Sequence, residues 1–417
     1  MSEDHRPHNQ ISTDKPLEDP GEDVLGYSPF AQHLAQVIDA DTSKRGWVMA
    51  LYGPWGSGKT TIANFVRSHL RKQEKEGDLQ IVVFNPWWFR GQDELAIHFF
   101  RSLQSVLHGS LRKTLGKFAN AAIVAAPTVG RAGTIATFFA GVLGLGNDDI
   151  VSLKDKVIAE IKKSGQKLLV VIDDIDRLSA EEVRQVFKLV KAIANFPNVI
   201  YLLCFDKTVV QTALSSVQDG ISGQEYLEKI VQVPFHIPMP SGTSLRQLLF
   251  SRLDEVIGDP PGELFDAGYW RNAYYEGIDP FITTPRKVTQ LTNYFAAAYP
   301  TVVNEVNVVD FIAISALQVF LPEQYDLLRR NLDLFTGLES ERRSGNTNKE
   351  FHDKWLNALP DDQREAVKNL FIRLFPRLKT VWENMGYAHD FLATWKTQRR
   401  VCSPEVAPFY FQLATPD

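Results

Sequence analysis

The chain has 417 residues, 44% of them hydrophobic and 23% charged, with a formal net charge of −5 and two cysteines. There is room for two or three domains with sizeable cores, and neither a disulfide framework nor a cysteine zinc site is available, which points to a reducing cytosol. The acidic balance gives no global pull towards nucleic acid, and no basic stripe supplies a local one.

Residues 1–22 are polar and proline-containing, lack the apolar run of a secretory signal, and read as a disordered tail. Structure is expected from Asp23 onwards, with Ser28 capping a helix that has Pro29 at its first position and Phe30, Leu34, Val37 and Ile38 on one face. Residues 47–51 form an apolar run that reads as a buried strand. It leads into Gly53-Pro54-Trp55-Gly56-Ser57-Gly58-Lys59-Thr60-Thr61, which fits the pattern G-x-x-x-x-G-K-[ST], and apolar residues at helical spacing follow. In that strand–loop–helix setting the glycines let backbone N–H groups turn inward on a phosphate at the open end of a helix dipole. Lys59 would reach the β- and γ-phosphates and the Thr60 hydroxyl would ligate magnesium.

A second strand, 81–84, runs into Asn85-Pro86-Trp87-Trp88, and a helix from about Asp93 carries Leu95, Phe99, Phe100 and Leu103 on its apolar face. The two tryptophans read as core residues more readily than as a stacking surface. Within an insert spanning 112–150 the composition shifts to small residues, with two weakly apolar arms, 119–127 and 132–143, on either side of Arg131. Each arm as a helix spans only about 20 Å, short of the ~30 Å hydrocarbon core. Joined, they would place Pro127 and Arg131 near mid-membrane, where an arginine costs roughly 2.5–3.5 kcal/mol or more. A helical insert packing on the core or on another subunit is therefore expected, with membrane contact the weaker alternative.

A charged helix near 151–163 precedes the run 167–172, which ends in Asp173-Asp174-Ile175-Asp176-Arg177, the pattern of a buried parallel strand delivering carboxylates at its C-terminal edge. Ser179 with Glu182 makes a capping box for a helix through Ala194. Residues 199–205, with Cys204, read as another buried strand ending at Asp206, and 230–235 as the last strand of the sheet. Beyond Pro240 the pattern is helical, with an exposed charged loop near 339–349. There, Thr284 as N-cap and Pro285 at the first position put Arg286 in the first turn of a helix. A cation in that place opposes the helix dipole, so a nearby anion is expected, and a nucleotide phosphate fits.

Phosphoryl transfer is mostly positioning and charge neutralisation. Lys59 and Thr60 supply two parts, and Asp173, at its strand end, is the expected partner of magnesium. Asp174 is the candidate for orienting or deprotonating the attacking water, and Asp206 for facing the γ-phosphate or that water. For Asp176 and Arg177 a local ion pair at a helix start and a role at a subunit boundary stand equal. Base recognition is expected in residues near Gly26 and Tyr27, with ATP and GTP both open. The histidines form no H-x-x-x-H or H-E-x-x-H pair.

Taken together, the tryptophan-bearing phosphate loop, Phe84-Asn85-Pro86-Trp87, Asp173-Asp174-Ile175-Asp176-Arg177, the stretch from Tyr226 to Gln232 and Thr284-Pro285-Arg286 resemble the motifs of the KAP family of P-loop NTPases. The resemblance runs from about Asp23 to at least Asn293, and Phe409-Tyr410-Phe411 extends it. It implies an α/β P-loop NTPase core of the additional-strand class, residues 23–240, with parallel sheet order 5-1-4-3-2. A helical lid, 241–417, completes the chain, and a membrane hairpin often interrupts the family's core where the insert lies. It also implies a link with phage exclusion.

The expectation is thus a magnesium-dependent NTPase using ATP and acting as a switch, with a second copy of the chain and an effector protein as candidate partners. Its expected location is the cytoplasm, with peripheral contact to the inner membrane as the variant. A nucleotide-gated membrane scaffold with little hydrolysis is the main competitor. A nucleic-acid translocase is disfavoured by the charge.

Overall fold

The computed structural model describes residues 11–42, 45–89, 92–107, 109–124, 148–193, 196–217, 222–338, 345–383 and 385–412. The chain divides into two compact units: Lys15–Met239 carries a sheet, and Pro240–Asp417 with Met1–Asp14 makes a helical unit.

In the first unit five strands, β1 (Trp47–Tyr52), β2 (Leu79–Phe84), β3 (Lys167–Ile172), β4 (Val199–Phe205) and β5 (Val233–His236), form one parallel sheet in the order β2-β3-β4-β1-β5. Read from the other edge this is 5-1-4-3-2, the order that the family resemblance implies, with β4 inserted between β1 and β3. The register sets Leu51 beside Cys204, and both Val48 and Val170 beside Tyr201. A parallel sheet is covered on both faces, which is why its central strands read as unbroken apolar runs. Alternate residues serve the two faces. Val48, Ala50, Val170, Tyr201 and Leu203 face one core, completed by α4 (Gln92–Val106), α5 (Gly109–Val124), α6 (Asp148–Ser164), α7 (Ala180–Ile193), α8 (Lys207–Val217) and α9 (Gly223–Glu228). Met49, Leu51, Leu169, Leu202 and Cys204 face a second core built with α1 (Ser28–Ala40) and α2 (Lys59–His69); the short α3 (Arg71–Glu76) leads from α2 to β2.

The helical unit holds α10 (Gly242–Ile257), α11 (Ala267–Ala273), α12 (Pro285–Ala298), α13 (Val308–Phe320), α14 (Pro322–Arg330), α15 (Leu332–Phe335), α16 (Gly345–Asn357), α17 (Asp361–Leu374), α18 (Arg377–Glu383), α19 (Asp390–Thr397) and α20 (Phe409–Gln412). Among its described residues there is no strand. Its central helix, α13, is buried nearly all round, from Val308 to Leu317. That helix also carries the fully buried Asp310, whose Oδ2 accepts from Arg400 Nε and the Val401 N–H, each at 2.7 Å.

Several local expectations change. Ser28 is not the side-chain cap of α1; Tyr27 stands at the N-cap, and the Ser28 N–H donates to Asp23 Oδ2 at 2.7 Å instead. Strand β5 begins at Val233 rather than 230, because Ile230 and Val231 close α9 onto the Leu227 carbonyl. Gln232 meets β1 with its side chain, which accepts from the Val48 N–H at 2.7 Å. Of the charged stretch expected as a loop, 345–349 opens α16 and 339–344 lie outside the described residues. From the expected tail, Ser12 exchanges two hydrogen bonds with the Asn293 side chain, and the Leu17 carbonyl accepts from Asn64. Helix α5 takes in 119–124 of the insert's first arm, while 125–147 lie outside the described residues. No helix of the described residues is long and apolar enough to cross a membrane.

Candidate functional site

Strand β1 stops at Tyr52 and α2 starts at Lys59, so six residues turn the chain at the C-terminal edge of the sheet. The Gly53 N–H still donates to the Phe205 carbonyl at 3.3 Å, tying the loop to β4. Inside the loop the Ser57 N–H and Oγ both donate to the Pro54 carbonyl. Gly58 sits at φ 94°, a left-handed conformation that only glycine adopts at little cost. A Cβ there would also meet the Tyr27 ring at 2.8 Å. Tyr27, buried, donates its hydroxyl to the Ser57 carbonyl at 2.8 Å. It therefore braces the loop from behind rather than presenting its ring to a base. The first N–H groups of α2 have no partner within the helix and lie at the positive end of its dipole.

Lys59 is buried, and its Nζ donates to the Gly53 and Pro54 carbonyls at 2.9 and 3.3 Å and pairs with Asp176 Oδ2 at 3.1 Å. Thr60 hydrogen-bonds the Asp173 carboxylate across the sheet edge, joining the residue after β3 to the first turn of α2. Burial pushes the Asp173 carboxyl up to about 6, against the Thr60 hydrogen bond, which lowers it. Asp174 takes a left-handed conformation at φ 58° and opens a 3-10 turn, Ile175–Arg177. That turn brings Asp176 back beneath the phosphate loop. Asp174 itself is held at both oxygens, Oδ2 by Asn85 Nδ2 at 2.7 Å and Oδ1 by Arg177 Nε at 2.6 Å.

Three carboxylates thus stand with two cations. Lys59 matches Asp176 and Arg177 matches Asp174. Asp173 is the acid left without a direct ion pair among the described residues, and beside it is a hydroxyl. Magnesium favours such hard oxygen donors, one or two from protein and the rest from phosphate and water. Among the described residues no cluster of three acids, histidines or cysteines offers a complete protein cage. A glycine-made cradle, a buried lysine and an unmatched carboxylate fit a magnesium nucleotide.

Asp206 ends β4, between β1 and β3, and its Oδ1 caps α8 by accepting from the Thr208 and Val209 N–H groups at 2.9 and 3.3 Å. Its own N–H donates to Asp176 Oδ2 at 2.9 Å. Arg286 belongs to the helical unit. Thr284 caps α12 as expected, and Arg286 in its first turn pairs with Asp14 at 2.7 Å, so the anion beside it there is a carboxylate of the same unit. The core reading of Trp87 and Trp88 is overturned: they are 50% and 73% exposed. Both lie in a 3-10 turn past the end of the edge strand β2, begun by Asn85, and the Arg177 guanidinium lies over the Trp87 ring, 5.2 Å from its centroid.

Sequence reasoning named Asn85, Tyr27 and Asp176 without giving them these duties. The signal for Asp176 was its spacing from Asp174, legible only once the left-handed turn is known.

A family model described as the KAP family P-loop domain matches residues 27–302. The phage T7 exclusion protein of Escherichia coli (strain K12) is 26% identical in an alignment of 351 positions that covers 76% of this chain and 47% of that protein. The chain therefore spans about half the length of the curated relative it matches. Among solved structures, Cdc6p of Pyrobaculum aerophilum is 13% identical, covering 92% of this chain and 87% of its own, with a TM-score of 0.41. The Aeropyrum pernix ORC2 protein is 11% identical, covering 82% and 94%, with a TM-score of 0.35.

Proposed function

The chain belongs to the KAP family of P-loop proteins, and from that we propose that it is a magnesium-dependent NTPase, using ATP, that works as a switch in defence against phage. The observation that carries the reading is the meeting of Lys59, Thr60 and Asp173 at one sheet edge: a buried ammonium, a hydroxyl and a carboxylate that has no direct ion pair among the described residues. Lys59 and the first amides of α2 bind phosphate oxygens. Thr60 and Asp173 hold the metal, which, when bound, neutralises the charge that develops on the phosphates. Asp174 orients or deprotonates the attacking water, and Asp206, at the end of the neighbouring strand, is the second candidate for that water. The phage T7 exclusion protein as a relative supports the defence role.

Asp174 must exchange its contacts with Asn85 and Arg177 to act on water. This favours slow basal turnover and keeps a nucleotide-gated scaffold as the second reading. The test is steady-state ATP hydrolysis by the purified chain with magnesium. Asp174→Asn and Asp173→Asn should each slow turnover about tenfold or more while largely sparing nucleotide binding. Unchanged turnover in both variants refutes the assignment.

A further inference from the structure

We propose that Asp176 is a positioning residue of this site, a carboxylate that competes with phosphate for the Lys59 ammonium and passes the outcome to the start of α8. The inference rests on the nucleotide reading above. The Lys59 and Asp176 side chains are 7% and 6% exposed, so their 3.1 Å pair is poorly screened by solvent. The same Asp176 oxygen accepts from the Asp206 N–H, and Asp206 Oδ1 accepts from the first N–H groups of α8. An unbroken series of polar contacts therefore runs from the phosphate-loop lysine to a helix terminus, all within the sheet-bearing unit.

An ammonium has three donors, and those of Lys59 serve the Gly53 carbonyl, the Pro54 carbonyl and Asp176. A phosphate oxygen gains this lysine only by displacing one of them. The two carbonyls are fixed by the loop itself, whereas Asp176 rides on the 3-10 turn after Asp174. Asp176 also brings a negative charge close to an incoming anion, and like charges a few ångströms apart in a buried site repel. It follows that Asp176 holds nucleotide affinity down. Exchange of Lys59 from carboxylate to phosphate loosens the contact that Asp176 makes with the Asp206 N–H, and with it the cap of α8.

The test uses the full chain and magnesium ADP. Asp176→Asn keeps an acceptor for the Asp206 N–H but removes the charge. It should bind ADP about tenfold more tightly than the wild type and release it more slowly, and Asp176→Glu should return affinity towards the wild-type value. Hydrogen exchange at residues 207–210 should rise when ADP is added to the wild type and change little in Asp176→Asn. Unaltered or weaker ADP binding by folded Asp176→Asn overturns the inference. Should that variant not fold, wild-type exchange at 207–210 that is indifferent to ADP overturns it equally. A wild-type chain that does not bind ADP defeats the nucleotide reading itself, which separates the two failures.

Discussion

Tyr27 holds the phosphate loop by two means, a ring packed on Gly58 and a hydroxyl bonded to the Ser57 carbonyl. Tyr27→Phe keeps the first and leaves a buried carbonyl unpaired, a loss of about 1–2 kcal/mol in unfolding free energy with a modest drop in ATP affinity. Gly58→Ala is more severe, because its Cβ enters the ring and its φ is left-handed. We expect about 2 kcal/mol or more of lost stability and no measurable nucleotide binding, checked by denaturant titration and calorimetry. At this scale sequence reading was uneven. Lys59, Thr60 and Asp173 were legible because their places follow from a strand end and a helix start. Asp176 was not, because its position depends on one left-handed aspartate that no periodicity reveals. Nor did the pattern tell that Tyr27 turns inward.

Elements with a strong hydrophobic signal, continuous in strands or periodic in helices, were the legible ones. The runs behind β1, β3 and β4 are apolar on both faces because the sheet is covered twice. The Ser179–Glu182 capping box forms as expected, with the Ser179 N–H donating to Glu182 Oε2 at 3.0 Å. The start of β5 was not legible, since Ile230 and Val231 are as apolar as a strand yet finish a helix. Pro234 in β5 is tolerated because that strand is an edge. The exposed Trp87 and Trp88 show the limit of composition: the end of β2 at Phe84 was legible, but residue type alone does not tell whether a tryptophan beyond a strand end turns inward or out. Thr284 tests the capping reading of α12. Thr284→Ala removes the side-chain acceptor that the Lys287 N–H shares with the Thr284 carbonyl, and should cost about 0.5–1 kcal/mol in urea unfolding of the helical unit.

In the molecule as a whole, each unit has its own polar commitments. The helical unit buries Asp310 with Arg400, and Tyr269 also donates to Asp310. Asp310→Ala takes the carboxylate from a largely buried guanidinium, which keeps only the Tyr269 hydroxyl and the Arg373 carbonyl, and should destabilise that unit by about 3 kcal/mol. Its pH response should come from His352, whose imidazole burial holds down at about 4 from the ordinary 6.5. The neutral ring accepts from Trp355 Nε1 at 3.2 Å. Because the unfolded chain takes up this proton first, the contribution is complete above about pH 6.5. It is lost as pH falls towards 4, by about 3 kcal/mol in all. Tryptophan fluorescence from Trp355 and Trp382, both against the His352 ring, should report it. His352→Gln should flatten the slope between pH 6.5 and 4.

All of these expectations at the sheet edge depend on the phosphate loop gripping a nucleotide, and equilibrium titration of magnesium ATP into the full chain tests that most directly. Saturable one-site binding to the wild type, weakened at least about a hundredfold in a folded Lys59→Ala variant, is the predicted result. Equal affinity in the two proteins, or none in the wild type, would contradict the account.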